Sequence, residues 1–224
     1  MQEWGREKGQ HLEESAMQHS LTAQGYGVKL RPVRLEDAPF IVWLRNLARV
    51  KGWVGDSAAD VAAQKIWLSS YLGRENDYYF IIETSRAIPL GTHAIYNLDV
   101  TRAEIGRLVT RPGVSSALPA SLLLLDLFFG QMGVTELRAA TLASNHAVHS
   151  LLRGFEFRER NVEHAGRIIG GRAVDMMHFV QTAEDWRRVR KRLIPRAEWA
   201  ELRIRKWEQV YLEGRGTQGF EAGV

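Results

Sequence analysis

Cysteine is absent from the chain. That single gap removes a disulfide framework, thiolate metal ligands and a cysteine nucleophile together. Nothing then asks for an oxidising compartment, and a cytoplasmic setting is the expectation. Long apolar runs are missing as well: Leu122–Leu125 followed by Leu127–Phe129 is too short to cross a bilayer, and the opening Met1-Gln-Glu-Trp-Gly-Arg-Glu-Lys-Gly9 holds no apolar signal core. No membrane association is expected. Histidines and carboxylates do not cluster at metal-ligand spacing, so no metal is expected either. No internal repeat is evident.

What is present suits a folded domain with extensions. The 224 residues are 45% hydrophobic and 25% charged, enough to bury a real core. The formal charge of +4 suits an anionic ligand, but the basic residues are widely spread. Residues 1–27 are polar with four glycines and read as a flexible arm, partly helical around Leu12–Met17. Residues 28–194 form the main domain, and 195–224 a basic C-terminal helix and tail.

Within the domain, Val28–Val33 reads as a strand, and Glu36-Asp-Ala-Pro39 opens a helix with Phe40, Trp43, Leu44 and Leu47 on one face. Ser57-Ala-Ala-Asp60 has the capping-box pattern for a second helix carrying Val61, Gln64, Trp67, Leu68 and Tyr71. Three strands follow without an intervening helix, Asp77–Glu83, Leu90–Leu98 and Glu104–Thr110, which predicts an antiparallel meander. A helix over Ser116–Met132 and a strand over Glu136–Ala143 predict a parallel crossover. A short helix Asn145–Arg153, a hairpin of Phe155–Arg160 with Ala173–Gln181, and a helix capped by Thr182-Ala-Glu-Asp185 complete the domain. Beyond Pro195, Trp199, Leu202, Trp207 and Val210 lie near one helical face and are expected to pack.

The junction Val109-Thr-Arg-Pro-Gly-Val-Ser-Ser-Ala-Leu-Pro119 has a sharper meaning. A helix start presents unpaired N–H groups and a positive dipole end, which stabilise a bound anion such as phosphate. A plain turn, with Ser115 or Ser116 as N-cap and Pro119 in the first turn, fits the same letters.

In this order of elements the chain resembles the GNAT superfamily of acyl-CoA N-acyltransferases over about Val28 to Trp186. The residues that carry the likeness are Leu30-Arg-Pro-Val-Arg-Leu-Glu-Asp37, Ile105-Gly-Arg-Leu-Val-Thr-Arg-Pro112, Asn145 with Gly154-Phe155, and Val174–Trp186. The resemblance implies an α/β (α+β) fold: a mixed, mostly antiparallel sheet, splayed around an acyl-CoA cleft and flanked by helices. Gln64-Lys-Ile-Trp67, Tyr71 and Asp77–Glu83 look most like enzymes that acetylate amino sugars on nucleotide carriers. Other motifs are shared with ribosomal-protein N-terminal acetyltransferases.

The resemblance also implies site residues. Backbone at Leu108, Val109 and Thr110 would meet the pantetheine arm and thioester of acetyl-CoA, and Arg111, Gly113, Val114, Ser115, Ser116 and Ala117 would wrap its pyrophosphate. Ser115 replaces the family's second glycine, and Arg111 lies two residues before Gly113 instead of three. Asn145 would contact the pantetheine arm while capping its helix. The family's tyrosine acid is missing, since Leu151 and Leu152 fall there, and His149 is the substitute. Glu104 is the preferred base, with Glu83 the other candidate, although an exposed glutamate at a strand start reads the same way. His93 and Tyr96 would face the acceptor amine. Arg45, Asn46, Arg49, Lys51 and Trp53, with Arg167 and Arg172, would shape a pocket for a nucleotide-sugar diphosphate. The expected activity is N-acetylation of a small-molecule amine. The alternatives are N-terminal acetylation of a protein and a binding module that has lost catalysis. Nucleic-acid binding would rest on the basic C-terminal helix alone, and a homodimer through that helix is left open.

Overall fold

The computed structural model describes residues 18–47, 50, 52, 53, 58 and 60–214. The expected helix at Leu12–Met17 and the cap residue Ser57 lie outside them. The strands are β1 Ala23–Gly25, β2 Val28–Pro32, β3 Tyr78–Glu83, β4 Pro89–Asp99, β5 Arg102–Thr110, β6 Glu136–Leu142, β7 Arg158–Ile169 and β8 Arg172–Thr182. They form one sheet in the order β1-β2-β3-β4-β5-β6-β8-β7, in which β5 and β6 are the parallel pair and every other neighbour is antiparallel. The helices are α1 Ala38–Asn46, α2 Val61–Tyr71, α3 Ala117–Leu125, α4 His146–Gly154 and α5 Ala183–Glu213. The meander and the parallel crossover are therefore as expected, and β1 adds a strand inside the segment read as an arm.

Both faces of the sheet are covered, which explains why β3 reads Tyr-Tyr-Phe-Ile-Ile without polar alternation. Its Phe80 and Ile82 pack with Leu122, Leu124 and Phe128, while Tyr79 and Ile81 pack with Phe40, Ile41, Leu44 and Leu68 of α1 and α2. Asp60, not Ser57, caps α2, its carboxylate accepting from the Ala63 N–H at 2.8 Å. The helix after the junction changes character at Asp126, where a π-helical segment runs to Gln131. Asp126 accepts there from the Trp186 indole and both sides of the Arg190 guanidinium, tying this segment to α5.

The C-terminal region differs most from the sequence reading. Instead of a new helix after Pro195, α5 runs unbroken from its Thr182 and Asp185 capping box to Glu213. Pro195 is exposed, so the Lys191 carbonyl that loses its donor lies on the solvent side, where the loss is cheap. The buried stripe is Trp186, Val189, Leu193, Ala197, Ala200 and Ile204; Trp199, Leu202 and Val210 are exposed. α5 packs chiefly against α3, and its buried stripe includes two alanines at helical spacing that counting only large apolar residues misses.

Candidate active site

β5 and β6 pair only at Arg102–Glu104 with Glu136–Arg138. Past that point each strand stays with its other neighbour, β5 with β4 as far as Thr110 and β6 with β8 as far as Leu142. The sheet therefore splits, and a cavity of about 1210 Å³ fills the gap. Gly106–Thr110 form one wall and Ala139–Leu142 the other, with Ser121 and Leu125 of α3 beneath.

A bulge shapes the β5 wall. Thr92 opposes Val109 and Ala94 opposes Gly106, so His93 alone faces both Arg107 and Leu108. Arg107 takes a φ of +53° there, and its carbonyl accepts the Thr92 hydroxyl at 2.8 Å. At Gly106 a side chain is excluded: a Cβ would come within 2.8 Å of the Tyr96 hydroxyl. The Arg107 side chain lies over Trp67, Tyr79 and Tyr96, and its guanidinium grips Asp77 in a two-pronged pair at 2.6 and 2.8 Å.

This end of the cleft is cationic and aromatic. Arg45, Arg107 and Arg167 line it with Trp53, Trp67, Tyr79 and Tyr96. Burial holds the Arg45 pKa below its ordinary value, and the neighbouring Arg107 and Arg167 charges push the same way. Burial and the nearby Glu104 charge raise the Tyr96 phenol, so it stays protonated.

The junction between β5 and α3 lies beyond the cavity's lining, which stops at Thr110 and resumes at Ser121, and it is built from main chain. Arg111 passes its N–H to the Leu90 carbonyl, and among the described residues no backbone bond is donated by the amides of Gly113 to Leu118. Gly113 has a φ of +76°, whereas Ser115 does not enter the left-handed region. Glycine is thus required once in this loop, and serine fits where the family pattern has its second. Ser116 is the cap residue of α3 by position, yet its Oγ makes no cap bond; the residue is fully buried and that oxygen has no partner. An orphaned hydroxyl beside unpaired amides at a helix start is a set of donors suited to an anion. These donors fit a pyrophosphate.

Several expected residues meet in the cleft: Leu108, Val109, Thr110, Asn145, His93, Tyr96, Arg45 and Trp53 all line it. Asn145 also accepts from the Val148 N–H at 3.3 Å, so its cap role and its place on the wall coexist. Other residues stand elsewhere. Arg111 is buried in a cage of Trp43, Trp207 and Tyr211 rings, with its Nε donating to the Pro89 carbonyl. Val114 belongs to the core, and neither it nor Gly113, Ser115, Ser116 and Ala117 is on the cavity's lining. His149 turns inward, stacks near Phe179 and donates from Nε2 to the Leu142 carbonyl, which pins α4 to β6 and leaves nothing for the cleft. His146 and the apolar Leu151 and Leu152 line that wall instead.

Glu83 is buried in an ion pair with Arg31, so it is not available as a base. Glu104 pairs across the strands with Tyr96 and accepts from Asn97 at 2.9 Å, outside the lining. Asn46 bonds the Val42 carbonyl, Arg172 stands off the lining, and Arg49 and Lys51 lie outside the described residues. Sequence reading assigned no role to Arg107, Trp67, Asp77 or Ser121. Arg107 sits inside the quoted Ile105–Pro112 motif, but its inward turn depends on the bulge.

Residues 28–158 match the family model for an acetyltransferase (GNAT) domain. No curated protein matches the chain. Among solved structures the chain is similar to Mycobacterium smegmatis RimJ in complex with CoA-disulfide, at 22% identity, covering 81% of this chain and 97% of that one with a TM-score of 0.68. It is also similar to apo FdhC, a nucleotide-linked sugar GNAT (21%, 80% and 98%, TM-score 0.64). A third is a variant of the spermidine N-acetyltransferase SpeG from Vibrio cholerae (15%, 72% and 97%, TM-score 0.63). At such identities the likeness is one of fold.

Proposed function

Because the chain belongs to the GNAT acetyltransferase family, we propose that it transfers an acetyl group from acetyl-CoA to the primary amine of an anionic acceptor, an amino sugar on a nucleotide carrier. The observation that carries the acceptor reading is the cluster of Arg45, Arg107 and Arg167 at one end of the cleft, with Arg107 held by Asp77 and the Trp53 and Trp67 rings beside it. Such a surface attracts a diphosphate and offers flat faces to a planar base. It repels a polycation, which argues against an acceptor like that of the spermidine enzyme.

Acetyl-CoA, when bound, supplies an activated thioester carbonyl. The chain's own residues then have four tasks. The amides of Gly113–Leu118 and the Ser116 hydroxyl hold the pyrophosphate. The Leu108–Thr110 backbone and Asn145 align the arm between the parted strands. The guanidinium cluster penalises an ammonium beside it, which favours the neutral amine that attack requires; a free alkylammonium titrates near 10. Glu104, next to Tyr96 across the strands, accepts the released proton through the phenol or a water.

The test is thiol release from acetyl-CoA with a panel of nucleotide-linked amino sugars, N-terminal peptides and spermidine. Turnover confined to the nucleotide-linked sugars is expected. Turnover with peptides or spermidine instead would overturn the acceptor assignment, and binding of acetyl-CoA without turnover on any amine would favour a module that has lost catalysis.

A further inference from the structure

One buried pair in the cleft joins His93, expected to face the acceptor amine, to Ser121. Ser121 projects from α3 into the floor where β5 and β6 part, and its Oγ lies 3.1 Å from His93 Nε2. The other ring nitrogen, Nδ1, lies 3.0 Å from the Gly106 carbonyl. A carbonyl only accepts, and an unprotonated ring nitrogen at that distance would set lone pair against lone pair. The proton therefore sits on Nδ1. The Ala94 N–H also points at this nitrogen, 3.1 Å away, and is the contact this tautomer gives up in exchange for the Gly106 carbonyl. Nε2 is left as an acceptor for the Ser121 hydroxyl. Hydroxyl, base and a third group that orients the base make the arrangement of an activated serine.

Resting on the acetyltransferase reading, we infer that Ser121 and His93 form a nucleophile and base pair that takes an acyl group from a thioester and passes it to water when no amine fills the acceptor end. Three observations place the pair for this work. Both residues line the same cavity as Leu108, Val109 and Asn145. His93 faces the bulge at Arg107 and Leu108, at the edge of the gap between the strands. Both are nearly excluded from solvent, which protects an ester from immediate hydrolysis and strengthens local hydrogen bonds. Burial keeps the imidazole neutral, with its pKa lowered to about 4, which also makes it a weak base and the turnover slow. Ser116, the buried cap residue of the same helix, has no base beside its hydroxyl.

The chemistry balances without a further reagent. Nε2 takes the Ser121 proton as Oγ bonds the acyl carbon. The carbon–sulfur bond breaks, its electron pair leaves with the sulfur, and the thiolate collects the proton from Nε2. Water then attacks the ester with Nε2 as base; the carbon–Oγ bond breaks and the proton returns to Oγ. The net reaction is thioester and water to carboxylic acid and thiol.

The experiment incubates the full chain with acetyl-CoA and no amine, quenches in acid, and measures intact and peptide mass; p-nitrophenyl acetate serves as a second acyl donor that needs no nucleotide site. Expected are one acetyl group on the peptide containing Ser121 and slow thiol release. In Ser121→Ala the adduct is lost and release falls roughly a hundredfold, while His93→Gln, which keeps Ser121 but removes the base, lowers both. Melting curves and CoA calorimetry on each variant establish that the fold and the nucleotide site persist. An unmodified Ser121 with both donors, or release unchanged in Ser121→Ala, overturns the inference while leaving amine transfer intact. If acetyl-CoA fails to bind but p-nitrophenyl acetate labels Ser121, the acyl pair stands and the transferase reading falls.

Discussion

The cleft and the junction that leads from its β5 wall into α3 are made of different material. Toward α3 the groups on offer are backbone amides and one orphaned hydroxyl, presented by Gly113–Leu118 and Ser116. Toward α1 and α2 they are side chains: three guanidinium groups, four aromatic rings and one buried carboxylate. Main-chain donors suit a ligand portion that does not vary, because their geometry comes from the helix start and tolerates change in sequence. Side chains suit the portion that does vary. The comparison teaches that the nucleotide end should answer to few substitutions and the acceptor end to many.

The largest expected effect comes from Arg107. Arg107→Ala leaves the buried Asp77 carboxylate with only the more distant Arg74, at 3.9 Å, and strips the cation from beneath Trp67, Tyr79 and Tyr96. A loss of about 3 kcal/mol is expected, seen as a thermal midpoint lower by roughly 6 to 12 °C. A shift within error would mean that the pair does not hold the bulge.

Acid comes next. His93 and His19 both have pKa values lowered to about 4 from 6.5, in each case chiefly by burial. Between those values the unfolded chain binds more protons than the folded one, so stability is flat above about 6.5 and falls as the pH drops toward 4. Denaturation midpoints measured across this window should decline, and His93→Gln should flatten the decline. An unaltered slope in that variant would show that His93 titrates normally.

Arg45→Ala separates the two ends more finely. The acceptor KM should rise by about tenfold or more, as expected for losing one charged hydrogen bond, with CoA affinity unchanged. Equal losses in both would mean that the cleft does not divide as described.

The smallest effect has a telling sign. Ser116→Ala removes a buried hydroxyl that has no partner in the free protein, so the apo chain should gain up to about 1 kcal/mol, while CoA binding weakens several-fold. Destabilisation of the apo chain would point to a structural partner for that oxygen.

Legibility in the sequence follows the same division. The meander, the parallel crossover and the Asn145 cap were readable because strand periodicity and helix caps are local signals, whereas the split between β5 and β6 followed from the resemblance. His149 was readable as a helix residue but not for direction: which side of α4 faces β6 depends on how that helix docks. Glu83 and Arg111 look like free charges in the sequence, and only tertiary packing supplies Arg31 for the one and the Trp43, Trp207 and Tyr211 cage for the other. Arg107 stayed hidden because its inward turn needs a positive φ at a non-glycine residue, which no local pattern announces. Pro195 misled in the opposite direction, since an exposed proline can stay inside a helix whose buried stripe continues on both sides.

Calorimetric titration of CoA into the wild-type chain, Ser116→Ala and Arg45→Ala tests the division most directly. The account predicts one saturable site, weakened several-fold by Ser116→Ala and untouched by Arg45→Ala. No heat of binding in the wild-type chain, or a site weakened only by Arg45→Ala, would contradict it.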